Sequence, residues 1–300
     1  MIGRFAPSPT GSLHPGSLLA AVGSWLFARR AGGQWLVRSE DLDSPRVVPG
    51  SADEILATLK RYGLEWDGPV MKQSDRLPAY AAALEHLRLR SMVYDCGCSR
   101  SEILRSASAP LGREAVYPGT CRDGLGEGKQ PRAIRFRVST SRIRFDDLIA
   151  GEVDEDLQIE CGDFVLRRAD GVFAYQLAVV VDDAAQGVTQ VIRGGDLLAS
   201  TARQIALQQA LEVERPVYGH LPVVVAADGS KYGKRDASFP LILLDESMVR
   251  RTLAEVLALL GIADLPLAAP PEMLRDALAR FEPALIPKGP VTWDPARLLR

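Results

Sequence analysis

The stretch Arg4-Phe5-Ala6-Pro7-Ser8-Pro9-Thr10-Gly11-Ser12-Leu13-His14-Pro15-Gly16-Ser17 decides how the chain folds. Residues 1–5 read as a short buried strand, and residues 6–13, rich in Pro, Ser, Thr and Gly, read as a loop. From residue 16 to 30, Leu18, Leu19, Val22, Trp25 and Leu26 recur at helical spacing, and Ala31-Gly32-Gly33 ends that helix. Residues 35–38 read as a second strand, followed by the acidic turn Glu40-Asp41-Leu42-Asp43. A strand–loop–helix–strand opening predicts an α/β fold with a parallel sheet.

The same stretch has a chemical reading. A helix N-terminus offers free backbone N–H groups and partial positive charge, which suits phosphate. Gly16 would let a planar base or ribose approach the backbone. His14 could donate to a phosphate oxygen as charge builds in a transition state. A Pro-rich turn with a capping residue would account for the same residues, so the segment needs a second half elsewhere.

Working outward, helices are expected over 51–62 and 79–90. A change of pattern at residue 95 marks an inserted module reaching to 168. Residues 173–181 resume the apolar pattern, residues 188–193 read as a strand and 199–211 as a helix. A strand over 221–225 runs into Asp228-Gly229-Ser230-Lys231, and the chain beyond 239 reads as mainly helical. Apolar residues make up 47% of the chain, enough for at least one sizeable core. A net charge of -2 argues against nucleic-acid binding through bulk charge and leaves local basic surfaces open. Basic pairs at Arg167-Arg168 and Arg250-Arg251 could meet phosphates, or be ordinary solvated charge. The apolar runs are too short for a membrane-spanning helix, and residues 1–10 do not resemble a signal peptide. A cytoplasmic monomer is expected.

Three of the four cysteines, Cys96, Cys98 and Cys121, fall within 26 residues. Such clustering in a cytosolic chain suggests metal before disulfide. Three thiolates and a fourth ligand would make a tetrahedral zinc site, structural because four protein ligands leave no open position. Two residues compete for the fourth place. Cys161 lies in a strand-like run, and Tyr117 lies four residues before Cys121. A bound cation lowers the pKa of its ligand, so a phenolate is chemically reasonable.

Further along stand Val179-Val180-Val181-Asp182-Asp183, the stretch from Gln186 to Asp196, and the basic Lys231-Tyr232-Gly233-Lys234-Arg235. Lysines three apart on a mobile loop can neutralise a triphosphate and its leaving pyrophosphate. Glu40, just past the second strand, could bind an ammonium. Arg4 and Arg193 each end a predicted strand, where guanidinium groups suit a carboxylate through bidentate geometry. Tyr175 adds a hydroxyl. Taken singly, these residues could be an exposed basic turn and structural ion pairs.

Together the motifs resemble the class I aminoacyl-tRNA synthetases, with the glutamate-specific form closest. Residues 4–17 match the segment ending in that family's HIGH tetrapeptide, here His14-Pro15-Gly16-Ser17, with Ser17 replacing the second histidine. Lys231 to Arg235 stand where the family has its KMSKS loop, about 215 residues downstream, with Gly233 in place of the serine. The resemblance covers residues 1 to about 240. It implies a Rossmann-type parallel sheet with an inserted zinc-binding module and a short helical C-terminal region. The implied division is 1–94 and 169–238 for the catalytic halves, 95–168 for the module and 239–300 for the helical end. It implies that L-glutamate and ATP, the latter with Mg²⁺, form an aminoacyl adenylate. His14, Gly16, Ser17, Lys231 and Lys234 are then the catalytic set, and His14, Gly16, Ser17 and Lys234 the ATP contacts. Arg4, Ala6, Ser8, Glu40, Tyr175 and Arg193 match glutamate-contacting positions, with Phe5 and Pro7 in the same segment. For the single structural Zn²⁺, the resemblance favours Tyr117 beside Cys96, Cys98 and Cys121.

About 60 residues follow the 231–235 loop, too few for the anticodon-binding domain of a glutamyl-tRNA synthetase. That shortness resembles the branch of the family that activates glutamate without tRNA. This branch transfers glutamate to the queuosine base in the anticodon stem-loop of tRNA(Asp). A minimal glutamyl-tRNA synthetase charging a tRNA 3′ end, a non-catalytic zinc-containing tRNA-binding protein and a nucleotidyltransferase are the alternatives.

Overall fold

The computed structural model describes residues 1–106, 116–139, 142–230 and 241–299. The first part is β1 (Ile2–Phe5), α1 (Pro15–Arg30), β2 (Gln34–Ser39), α2 (Ser51–Arg61), β3 (Met71–Lys72) and α3 (Leu77–Leu89). Next come β4 (Val93–Cys96), α4 (Arg100–Ser106), β5 (Ala133–Phe136), β6 (Arg142–Asp147), β7 (Gly151–Asp156), α5 (Leu157–Glu160) and β8 (Val165–Arg167). The chain continues through α6 (Tyr175–Ala185), β9 (Gln190–Gly194), α7 (Thr201–Leu211), β10 (Val217–Leu221) and β11 (Val224–Val225). It ends in α8 (Glu246–Leu259), α9 (Pro270–Arg280) and β12 (Val291–Thr292).

The parallel sheet expected from the opening is present in two portions. β1, β2 and β3 pair in parallel, with Gly3 opposite Trp35. β9, β10 and β6 also pair in parallel, and β7 runs antiparallel on the outer edge of β6. The portions abut where β1 lies beside β9, and the Thr189 N–H donates to the Ile2 carbonyl at 3.0 Å. From β1 the chain builds outward on one side, and from β9 on the other. That reversal is where open α/β sheets form a ligand crevice.

Strand side chains alternate between two cores, as the period of two requires. Ile192 enters the core shared by α1, α2, α8 and α9, and Val191 enters the core shared by α3, α6 and α7. Burial on both faces explains why these strands read as unbroken apolar runs. The C-terminal helices belong to the first core, where Phe281 meets Phe27 edge-on at 5.1 Å between ring centroids. The strand expected over 221–225 is instead two strands, β10 and β11. Pro222 lies between them and has no N–H to donate to a ladder. β11 pairs with β12, so the last residues end in a strand as well as helices.

β4, which starts at Val93, forms a small antiparallel sheet with β5 and β8, whereas β6 and β7 extend the main sheet through β10. Among the described residues, no helix is long and apolar enough to cross a membrane.

Candidate active site and metal centre

At the C-terminal ends of β1 and β9 a cavity of about 830 Å³ opens between the sheet portions. That volume lies within the range of small-ligand sites. Arg4, Phe5, Ala6, Pro7 and Ser8 form one wall, His14, Gly16 and Ser17 another, and Glu40, Tyr175 and Arg193 complete it. These predicted residues, drawn from β1, the loop after it, α1, the end of β2, α6 and β9, therefore meet in one place. Lys231 and Lys234, with Tyr232, Gly233 and Arg235, lie outside the described residues.

Local bonds fix this wall. Ser51, the first residue of α2, donates its hydroxyl to the Gly11 carbonyl at 2.8 Å and so holds the loop after β1. The Glu40 N–H donates to the Pro7 carbonyl at 2.9 Å, tying the end of β2 to the same loop. His14 caps α1, its Nδ1 accepting the Ser17 N–H at 3.3 Å, with Pro15 starting the helix. A neutral imidazole that accepts at Nδ1 carries its proton on Nε2, the form able to donate to an anion. A Cβ on Gly16 would lie 3.1 Å from His14 Cε1. Gly16 thus makes room for the imidazole as well as for any ligand.

Behind the wall sits a buried charge network. Asp183 of α6 takes two bonds from Arg4, Nε at 3.1 Å and Nη2 at 3.4 Å, and one contact from Arg38 at 2.8 Å. Arg38, fully buried on β2, also reaches Gln186 at 2.8 Å and Glu40 at 3.5 Å. Burial works to raise the Asp183 carboxyl, but Arg4 and Arg38 outweigh it and hold the group below its ordinary value. Burial also pushes Glu40 upward, opposed by Arg38 and Arg4. A cationic ligand group would relieve that penalty. The neighbouring Asp182 turns the other way and accepts from Tyr80 at 2.7 Å and Gln73 at 3.0 Å, anchoring α6 to α3 and its approach.

Arg193 is held differently. Its Nε donates to His220 Nε2 at 3.0 Å, Nη1 to the Tyr175 hydroxyl at 3.2 Å, and Nη2 to Thr201 at 2.9 Å and the Leu197 carbonyl at 3.4 Å. His220 Nδ1 in turn lies 2.6 Å from Asp147. Of the two arginines expected to grip a carboxylate bidentately, Arg193 thus has four of its five N–H donors engaged within the protein, whereas Arg4 commits two, both to Asp183. A ligand carboxylate would meet the one remaining donor of Arg193 and the Nη1 edge of Arg4.

Asp183, Arg38, Asp147 and His220 were not singled out as site residues by the sequence reading. Paired acids inside the apolar run before Gln186 were the available signal for Asp183. His220 falls in β10, a strand the apolar pattern did not reveal because Gly219 and His220 interrupt it.

The cysteine cluster lies at the end of β4. The Sγ atoms of Cys96, Cys98 and Cys121 all lie within 4.8 Å of one another, with Cys98 and Cys121 at 3.5 Å. The Tyr117 hydroxyl sits among them, 3.4 Å from Cys96 Sγ and 3.6 Å from Cys98 Sγ, and accepts the Cys121 N–H at 2.9 Å. Tetrahedral zinc with N, O or S ligands sets ligand–ligand edges of roughly 3.3–3.8 Å, and the separations of 3.4, 3.5 and 3.6 Å among these groups match that spacing. Cys161 stands elsewhere, its thiol directed to the Leu157 and Gly162 carbonyls at 3.3 and 3.2 Å. Gly162, at φ +61°, lets the Tyr117 backbone approach, since a Cβ there would lie 2.8 Å from the Tyr117 carbonyl.

Two cations back the cluster. Arg135 lies over the Tyr117 ring at 3.8 Å and donates to Cys96 Sγ at 3.3 Å, and Lys129 reaches Cys98 Sγ at 3.7 Å. Burial alone would raise the Cys121 thiol, but donors from Tyr117, Gly97 and its fellow cysteines bring it down to about 7. Burial and hydrogen bonds to the thiols push the Tyr117 phenol upward, so only a bound cation would draw off its proton at neutral pH.

A parallel sheet split at a ligand crevice, with a capped helix N-terminus facing it, is the architecture of a nucleotide-activating enzyme. The sequence family described as tRNA synthetases class I (E and Q), catalytic domain, matches residues 1–273, and the chain belongs to that family. A relative from Geobacter sulfurreducens named glutamyl-Q tRNA(Asp) synthetase is 53% identical over 294 residues, covering 96% of this chain and 94% of its own. One of the same name from Thiobacillus denitrificans is 49% identical over 300 residues, covering 98% of each. Among solved structures, the glutamate tRNA ligase of Elizabethkingia meningosepticum in complex with its amino acid superposes with a TM-score of 0.82 at 26% identity. It matches over 99% of this chain and 68% of that one.

Proposed function

We propose that the protein activates L-glutamate with ATP in the absence of tRNA, and then transfers the glutamyl group to the queuosine base in the anticodon loop of tRNA(Asp). The observation that carries this reading is the convergence of Arg4, Glu40, Tyr175 and Arg193 in one cavity beside the capped N-terminus of α1. The names of relatives at 49–53% identity over nearly the whole chain support the acceptor.

In this reading Glu40 takes the α-ammonium, while Arg4, Arg193 and Tyr175 take the side-chain carboxylate. Ala6 and Ser8, flanked by Phe5 and Pro7, shape the wall between them. The α-carboxylate then attacks the α-phosphate, and pyrophosphate leaves. His14, Gly16 and Ser17 present a donor and backbone N–H groups to the phosphates, and Lys231 and Lys234 neutralise the leaving charge. Mg²⁺ arrives with ATP. In the second step a hydroxyl of the queuosine base attacks the adenylate carbonyl, an ester forms, and AMP departs.

Cys96, Cys98, Tyr117 and Cys121 would hold one zinc, which ties the loop after β4 to the segment around Tyr117 and takes no part in the reaction. The division into catalytic halves, 1–94 and 169–238, module 95–168 and helical end 239–300 goes with this proposal, as does a cytoplasmic monomer. Glutamate labelled in its carbon chain, supplied with ATP and queuosine-containing tRNA(Asp), should appear as an alkali-labile group on the isolated anticodon stem-loop. Label confined to the 3′ end would instead make the protein a minimal glutamyl-tRNA synthetase.

A further inference from the structure

Asp147 and His220 do not line the cavity, yet both are buried directly behind Arg193. A guanidinium has donors only, so the bond from Arg193 Nε makes His220 Nε2 an acceptor. The imidazole proton therefore sits on Nδ1 and is donated to Asp147 Oδ2, 2.6 Å away. The other carboxylate oxygen, Oδ1, already accepts N–H groups from Ile149 at 3.0 Å, Ala150 at 2.9 Å and His220 at 3.0 Å. The Thr201 hydroxyl also lies 3.2 Å from His220 Nε2 and, with that nitrogen an acceptor, donates to it.

The two arginines of the cleft differ in how their charge is met. Arg4 is paired directly with Asp183 at 3.1 Å. The acceptors of Arg193 are an imidazole, two hydroxyls and a carbonyl, all uncharged. Arg193 is only 5% exposed, so water does little to disperse its charge. Were Asp147 itself to touch Arg193, the pair would be neutral before a ligand arrived. The intervening imidazole keeps the carboxylate one residue away. It fixes the fork and leaves its charge for an incoming anion.

We propose that Asp147 and His220 are positioning and specificity-determining residues, a buried relay that locks Arg193 in place with its charge uncancelled and so favours a carboxylate over a carboxamide side chain. This rests on the reading that Arg193 meets the glutamate side chain. Burial lowers the pKa of His220 against the opposing pull of Asp147, which agrees with a neutral ring.

Asp147→Asn is the sharpest test. Its carbonyl oxygen must occupy the Oδ1 place to keep three backbone donors, which turns its amide N–H₂ toward His220 Nδ1. The imidazole proton then moves to Nε2, where it opposes Arg193 Nε–H, an outcome like the tautomer error known for Asp→Asn in catalytic triads. In glutamate-dependent pyrophosphate exchange without tRNA, Asp147→Asn should raise the glutamate KM about tenfold or more, leave the ATP KM within about twofold, and shrink the preference for glutamate over glutamine. His220→Leu should act likewise, and His220→Gln, which can both donate to Asp147 and accept from Arg193, should recover most of the loss. Arg193→Ala separates the two levels. If it raises the glutamate KM about a hundredfold while folded Asp147→Asn and His220→Gln are both indistinguishable from the parent and His220→Leu loses only thermal stability, the relay is wrong and the glutamate site stands. If Arg193→Ala itself leaves the glutamate KM unchanged, the site reading fails first.

Discussion

The cleft between β1 and β9 and the cysteine cluster at the end of β4 both gather polar groups in buried surroundings, but they balance charge in opposite ways. In the cleft, Asp183 answers Arg4 and Arg38 from within the chain, whereas Arg193 donates only to neutral groups among the described residues. In the cluster, three thiols and a phenol converge on one point, with Arg135 and Lys129 standing behind them. Thiols and a phenol at such spacing have little to gain from one another while protonated. Deprotonated, they would repel. The cleft is thus held together by ion pairs of its own, whereas the cluster has a donor set that a cation could complete.

The largest expected effect lies in the cleft. Asp183→Asn removes the negative charge shared by Arg4 and Arg38, leaving the buried Arg4 guanidinium without its ion pair and Arg38 with Glu40 alone. Breaking such a buried pair costs about 3–5 kcal/mol, to be read as a lowered urea midpoint. If the midpoint hardly moves, the cleft is not held together by its ion pairs and the contrast with the cluster collapses.

A smaller effect is set by pH. Burial would raise the Asp147 carboxyl, but His220 and three backbone N–H donors bring it from an ordinary 3.8 to about 2. Because the folded value is the lower one, this stabilisation is present above pH 3.8 and is lost as pH falls toward about 2. It amounts to about 2 kcal/mol, so the stability gap between the parent and Asp147→Asn should narrow by that much over the window. A gap independent of pH would mean that Asp147 is not an ionised anchor.

Smaller again is the effect expected at the cluster. Tyr117→Phe keeps the ring beneath Arg135 and removes only the oxygen among the sulfurs. Zinc affinity, measured by competition with a chromophoric chelator, should fall about tenfold or more, while Cys161→Ser should leave it unchanged. The reverse pattern would make Cys161 the fourth ligand. Equal affinity in parent and both variants would remove the fourth protein ligand altogether.

How far the molecule could be read from its sequence follows the same division. Arg4, Glu40 and Arg193 were legible because each sits at or just past the end of a strand whose apolar run is unmistakable, and strand ends are where such folds place ligands. The spacing of Cys96, Cys98 and Cys121 needed no fold at all. The supporting groups were hidden for physical reasons. Asp183 comes to Arg4 from 179 positions away, through the packing of α6 beneath the sheet, and nothing local marks that approach. His220 sits in β10, where Gly219 and a polar imidazole break the apolar pattern, so the strand was expected four residues later. Arg135 looks like one arginine among many until β5 pairs with β4 and brings it beside Cys96. Residues that touch a ligand tend to announce themselves by position, whereas those that hold them are revealed only by tertiary contact.

In the proposed activity the cleft reads a negatively charged side chain through Arg193 and an ammonium through Glu40 before any tRNA is present. Pyrophosphate exchange into ATP, run without tRNA and with glutamate or glutamine as the only amino acid, tests it most directly. Robust exchange with glutamate, loss of about a hundredfold with glutamine, and collapse in Arg193→Ala are the predicted results. Equal exchange with the two amino acids, or exchange only after tRNA is added, would contradict it.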